Sequence, residues 1–436
     1  MKVKKQFANL NSRRRGWAGN FLPASVIVMM AGLVALAAPA AQAQTFQVLH
    51  AFSGGSDGAE PWAGVILDPA GNLYGTTFYG GSTSAGCVAF GYGCGVVFKL
   101  DPAGNETVLY TFKGLASGIN PRAGLLRDKA GNLYGTTFEG GDLNCGRVGC
   151  GTIFKIDATG HVSLLYSFTG KGDDEHPQSP LIADAAGNLY GTTVGQTAFT
   201  SGTVFKLDSA GNETVLHVFT GPPDGGMPVG SLVRDAHGNL AGATSYGGNG
   251  TGCVSLGCGL VFKISPTGQE SVLYNFTGGT DGAYPIVNPV LDAAGNLYGT
   301  TGDGGDLNCG PNIAQPYGCG VIFKVNSSGV ETVLYAFTGE TTTGYNPYAG
   351  VIRDAVGNLY GTTYRGGTYA SGTVYKVDPS GHETVLYSFT GGADGAYPAA
   401  DLAMDAEGNL YGTNVSGGNL SGCGGGGCGV VFKIVP

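Results

Sequence analysis

Charge is scarce in this sequence, and positive charge is the scarcer kind. Charged residues make up 12% of the 436, with 22 basic and 31 acidic. Six of the basic ones (Lys2, Lys4, Lys5, Arg13, Arg14, Arg15) stand at the extreme N-terminus, leaving 16 against 31 acidic residues and a formal net charge of −15. Phosphate binding needs clustered Lys and Arg, so no nucleic-acid partner is expected. Long apolar runs are also missing. The one substantial run, Val26 to Ala38, is shorter than the ~20 residues that span a bilayer, so no transmembrane segment is expected in the mature chain. No nucleophile motif, phosphate loop or metal-ligand spacing occurs, and the six histidines share no common position. Neither cofactor nor metal is expected, although a single-copy active site assembled from distant segments would leave no motif.

The basic start, the apolar run and the small-x-small pattern Ala41-Gln42-Ala43 read as a signal peptide cleaved after Ala43. The mature chain would begin at Gln44 and be secreted or periplasmic. A monomer is expected.

Glycine is abundant, and its 81 copies are ordered rather than scattered. The stretch DAAGNLYGTT occurs unchanged at Asp184 to Thr193 and at Asp292 to Thr301. Aligned on the Gly-Asn pair, seven units place Asn72, Asn132, Asn188, Asn239, Asn296, Asn358 and Asn409 in register, 51 to 62 residues apart. Each unit holds four runs rich in Val, Ile, Phe, Tyr and Thr, here lettered A to D; in the first they are Ala63 to Asp68, Leu73 to Thr77, Val96 to Asp101 and Thr107 to Phe112. The A-to-B and C-to-D connections have fixed length and turn-forming sequences, as tight hairpins require. Four antiparallel strands repeated seven times predict an all-β, seven-bladed β-propeller. The last unit stops after its C run, Val430 to Ile434, and the mature chain opens with a D-like segment, Phe46 to Phe52. That N-terminal strand should complete the last blade and close the ring.

The blocks GNLYGTT, GTVFKLD and ETVLYSFTGG resemble the GloVer tandem repeat of the choice-of-anchor family of bacterial surface proteins, and more distantly NHL-type propeller repeats. The resemblance covers nearly all of the mature chain. It implies the propeller and an envelope location, and no particular reaction.

Length variation is concentrated in the B-to-C connection, which is short in units three and six. By strand parity this loop shares one face of the ring with the D-to-A loop, while the uniform hairpins occupy the other. Binding is therefore expected on the variable face. Ten cysteines fall as Cys87/Cys94, Cys145/Cys150, Cys253/Cys258, Cys309/Cys319 and Cys423/Cys428, one pair in each long loop. Pairs gained or lost together read as local disulfides. Zinc is the alternative, but a lone pair supplies only half the usual ligand set.

Candidate site residues gather near the proline that opens each unit. Trp62, Tyr284, Tyr348 and Tyr397 could stack on sugar faces or simply pack between blades. The cluster Asp173, Asp174, Glu175 and His176 could bind a ligand or be a solvated charge run. Arg127, Arg234 and Arg353 precede the A-run aspartate in alternate units and could hold an anion or pair with aspartates. The expected role is a binding module for carbohydrate or another envelope ligand. A polysaccharide lyase or glycoside hydrolase on the same scaffold is the alternative, and a structural envelope protein the third reading.

Overall fold

The computed structural model describes residues 44–84, 87, 92–195, 201–253, 256–286, 288–309, 318–340 and 342–435. The proposed signal peptide lies outside the described residues. From Thr45 onward the described residues form seven antiparallel blade sheets, each with the order A-B-C-D from a two-residue inner strand to a six- or seven-residue outer one; one blade gains the extra strand Ala283–Pro285, and Gly344–Tyr345 pairs with Arg365–Gly366 as a small separate sheet. The first blade comprises Ile66–Leu67, Leu73–Thr77, Val96–Leu100 and Glu106–Thr111. The ring closes as the sequence requires. Strand Thr45–Ala51 pairs antiparallel with Val430–Val435, from Thr45 opposite Val435 to Ala51 opposite Val430. On the inner side, Thr413 of the last blade donates to the Ala63 carbonyl of the first at 3.0 Å.

The first four letters of the LYGTT block each have a mechanical role. The leucine is buried between sheets. The tyrosine hydroxyl reaches back to the hairpin aspartate, as Tyr74 does to Asp68 at 3.0 Å and Tyr411 to Asp405 at 2.9 Å. The glycine lies under the C-strand ring: a Cβ on Gly191 would stand 2.7 Å from Phe205 Cζ, so no larger residue fits. The first threonine stitches blades together, Thr76 donating to Ala123 O at 3.1 Å and Thr300 to Ala349 O at 2.8 Å.

The core is a ring of aromatic pairs between blades. The D-strand aromatic of each blade meets the C-strand aromatic of the next, from Phe52–Phe98 round to Phe389–Phe432. All seven pairs have centroids 5.1–5.3 Å apart and planes inclined by 58–72°. Inclined rings at this separation gain from their quadrupoles as well as from burial. Phe52, carried by the N-terminal strand, is fully buried and supplies the pair at the seam.

Candidate functional site at the channel mouth

The inner strands surround a central cavity of about 830 Å3, to which every blade contributes: Trp62, Arg122, Gln178, Val229, Ile286, Tyr348 and Ala399 stand at equivalent positions around it. Its variable end is the mouth. There the D-to-A and B-to-C loops pair, through bridges such as Ala59 with Tyr79 and Ala396 with Ser416.

The backbone of the mouth repeats seven times. The residue before each unit proline has a left-handed φ between 52° and 60° in Glu60, Asn120, His176, Met227, Tyr284, Asn346 and Tyr397. Such a φ is uncommon outside glycine, and its cost is met here by a repeated bond. Every one of the seven N–H groups donates to the preceding blade at 2.8–2.9 Å, to the carbonyl of Cys428, Cys94, Cys150, Ser201, Cys258, Cys319 and Ser371 in turn. Five of these acceptors are the second cysteine of a pair, and all five pairs are disulfides. In the two blades without a disulfide the acceptor is a serine. The bridges hold the long loops where the next blade needs an acceptor.

With the backbone so occupied, the side chains are free to differ. Arg122 lies over both Trp62 (5.3 Å) and Phe138 (5.7 Å), and His176 stacks against Phe138 at 4.5 Å. Across the mouth Tyr348, Tyr364 and Tyr397 form a run of neighbouring rings at 5.2 and 5.1 Å, and Tyr246 meets Tyr284 at 5.2 Å. Three carboxyls stand among these rings. Burial pushes Glu60 up against the opposing bond from Trp62 Nε1 (3.3 Å), burial raises Glu139, and burial takes Asp303 up to about 6. Asn346 Nδ2 donates to Asp303 at 3.2 Å. Burial also lowers Arg122 and His176. Deeper in the cavity Asn288 Nδ2 donates to Asp401 at 2.5 Å, Gly350 N to the same carboxylate at 2.6 Å, and Ser231 N to Asn288 at 2.6 Å, so four blades share one polar network.

The structure brings the four predicted aromatics to this mouth. Trp62 and Tyr348 line the cavity, while Tyr284 and Tyr397 occupy the left-handed pre-proline position. Of the acidic cluster, His176 faces the mouth beside Phe138. Asp173 instead fills the turn position of Asp57, Asp224, Asp281 and Asp394, accepting from Thr169 N and Oγ1 (both 2.8 Å) and from Tyr166 OH (2.9 Å). Glu175 is buried, 3.6 Å from His176, and Asp174 lies over Gly195. The three arginines end the inner strands at the opposite, hairpin end; Arg127 and Arg353 lie over Tyr74 and Tyr298 of the preceding blades at 5.9 and 5.5 Å. Sequence reasoning passed over Glu60, Asn120, Arg122, Phe138, Glu139, Tyr246, Asp303 and Tyr364. The signal that finds them is variation at fixed register: the residues flanking the proline, and those six or seven past the Gly-Asn asparagine, change from unit to unit while their surroundings do not.

Fold and mouth together define a closed seven-bladed propeller with one uniform and one individual end. The chain belongs to the Gloeobacter/Verrucomicrobia repeat family, whose profile matches residues 89–313 and 312–436. No curated protein matches it. Among solved structures, it is similar to a proposed gluconolactonase (12% identity, 65% of this chain and 80% of that one, TM-score 0.36). It is also similar to a luciferin-regenerating enzyme (10% identity, 90% and 96%, TM-score 0.41) and to the tricorn protease (11%, 76% and 26%, TM-score 0.38). Likenesses this distant carry no argument about function. Among the described residues no helix is long and apolar enough to cross a membrane. The five disulfides fit a protein outside the reducing cytoplasm.

Proposed function

We propose that this chain is an exported propeller module that binds carbohydrate across its channel mouth. The observation that carries the reading is the arc of partly exposed rings, Trp62, Tyr348, Tyr364 and Tyr397, set beside amides and carboxyls at the rim of a cavity about 830 Å3 in volume. Rings offer flat faces to the C–H surface of a sugar, and the carboxyls of Asp303 and Glu60 supply groups for its hydroxyls, Asp303 being positioned from behind by the buried Asn346. Cleavage of a signal peptide after Ala43 would place the module in the periplasm or outside the cell, and Edman sequencing of exported protein should then begin at Gln44.

A glycan array read with the wild-type chain and with Trp62→Ala and Tyr348→Ala tests the binding. Each ring that stacks on sugar should cost ~1–3 kcal/mol of affinity when removed. An array with no hits, or hits indifferent to both changes, would refute the reading. Asp303, pushed up to about 6, favours a second one, hydrolysis or elimination of a bound glycan with this carboxyl as the acid. Release of reducing or unsaturated ends that stops in Asp303→Asn would separate the enzyme from the binder.

A further inference from the structure

Outside the mouth, one junction between blades brings a histidine and two carboxylates within ligand range of one another. Where the outer strand of a blade runs into its D-to-A loop, a tyrosine hydroxyl donates to the turn aspartate at three junctions: Tyr166 to Asp173, Tyr274 to Asp281 and Tyr387 to Asp394, at 2.9–3.1 Å. After blade three the tyrosine is replaced by His217, 3.1 Å from Asp224 Oδ1. Glu270, the first residue of the next blade's outer strand, completes a trio whose ligand atoms all lie within 4.8 Å of one another. Its Oε1 is buried without a hydrogen-bond partner, as are those of the equivalent Glu106, Glu213, Glu331 and Glu383, and only here does a histidine–aspartate pair stand within ligand range of it among the described residues.

We propose that His217, Asp224 and Glu270 bind a divalent transition-metal ion, zinc by preference, bridging blades three and four. A neutral imidazole and two carboxylates are a suitable donor set for zinc, with water left to complete the tetrahedron. Ligand atoms around tetrahedral zinc stand roughly 3.4 Å apart. The His217–Asp224 edge, at 3.1 Å, is already shorter than that, and the edges to Glu270, no longer than 4.8 Å, would have to close onto the ion. The outer support is in place as well. Asp224 Oδ2 is held by Thr220 N (2.9 Å) and Thr220 Oγ1 (3.1 Å), which leaves Oδ1 for the ion, and the His217 ring is braced by Phe219 at 4.7 Å.

The position of the trio explains what an ion would do there. In blades two, four and seven the disulfide packs beneath the D-to-A loop, so tightly that a Cβ on Gly170, Gly278 or Gly54 would strike its sulfur. Blade three has no cysteine. The ion would brace the one such loop that has a histidine and no bridge. The other trio within ligand range among the described residues, Cys145, Cys150 and Glu175, has both sulfurs bonded to each other and is not a metal site.

At the ring seam His50, Asp57 and Glu106 repeat the residue types in a wider arrangement, with His50 Nε2 3.7 Å from Asp57. This gives the internal control. The purified chain, without a histidine tag and stripped by chelator, should show a melting temperature raised by a few degrees on adding micromolar zinc and restored by EDTA. His217→Tyr, which installs the residue found at five of the other six junctions, should keep the metal-free melting temperature and lose the zinc response. Glu270→Gln should weaken zinc binding at least tenfold by calorimetry, and His50→Tyr should leave it intact. No response in the wild type, a response unchanged in His217→Tyr, or one lost only in His50→Tyr would each overturn the assignment.

Discussion

The two ends of this ring solve the same problem with opposite parts of the residue. At the hairpin end the side chains do the folding: in blade three Asp184 accepts from Ala186 N, Asn188 N, Asn188 Nδ2 and Tyr190 OH at 2.7–3.0 Å. The aspartate–asparagine part of that pattern recurs in every blade. At the mouth the backbone does it, through seven left-handed residues whose N–H groups all bond to the preceding blade. An end held by side chains cannot vary them. An end held by N–H groups can, and the mouth carries Glu, Asn, His, Met, Tyr, Asn and Tyr at one structural position. Repetition and individuality coexist because they use different atoms.

The harshest test attacks the strand on which both ends depend. Removing residues 44–52 deletes the outer strand of the last blade, takes Phe52 from its pair with Phe98 and takes Phe46 from its stack on Tyr387 at 3.9 Å. Loss of a single buried phenylalanine costs about 3–5 kcal/mol. Thermal melts of the truncated chain should show a large fall or no cooperative transition. An unchanged melting temperature would mean that the seam does not hold the ring.

A smaller loss should follow at the hairpin end alone. Asp184→Ala leaves the donors Asn188 Nδ2 and Tyr190 OH without their acceptor, a cost of about 2–3 kcal/mol on the scale of bonds to charged groups. Denaturant titration reads it directly. Since the mouth takes no support from this carboxylate, ligand affinity should not change.

The comparison extends to protons. At the hairpin end burial pushes Asp235 up, but bonds from Asn239, Lys263 and His237 outweigh it and hold the group at about 2. Between the outer strands of adjacent blades, Glu106, Glu213 and Glu331 are pushed up to about 7, by burial first and then by the neighbouring Asp57, Asp173 and Asp281. A carboxyl raised on folding keeps a proton that the unfolded chain releases. Its favourable contribution is therefore complete below the unfolded value near 4.3 and is lost as pH rises through about 7. The depressed aspartates act in the other direction, losing theirs only as pH falls below about 4. Melting temperature should peak near pH 4–5 and decline toward 7.5, and Glu331→Gln should flatten the decline. A curve that rises from pH 5 to 7.5 would contradict the burial of these groups.

What the sequence disclosed follows the same division. The blades, their register and the strand at the seam were legible because side chains build them, and a bond such as Asn188 to Asp184 needs both letters in every copy. The disulfides were legible because their cysteines come and go in pairs. The mouth was legible only in part. Trp62 and the tyrosines stood out as aromatics beside prolines, but Glu60, Asn120, Met227 and Asn346 share no chemistry, and a position kept through backbone φ and an N–H leaves no consensus letter. Asp173 was misleading for a related reason. It stands five residues after Phe168, as Asp281 does after Phe276, yet the charged residues that follow hide the turn it belongs to.

The smallest change in stability should come from the substitution that separates the backbone's role from the ring's. Tyr397 holds φ at 58° while its N–H donates to Ser371 O at 2.9 Å, and its ring, 37% exposed, rests on Tyr364. Tyr397→Gly keeps the N–H and adopts the same φ without steric cost, a gain of about 1 kcal/mol. It loses a ring contact of about 0.5–1.5 kcal/mol. The two nearly cancel, so the melting temperature should move little. Met227→Gly, at the equivalent position with no ring stacked on a neighbour, should be neutral or slightly stabilising by the same reasoning. If the mouth binds sugar through its rings, Tyr397→Gly should nonetheless weaken that binding while Met227→Gly spares it. A large loss of stability in both would show that these side chains, and not their N–H groups, hold the blades together at this end.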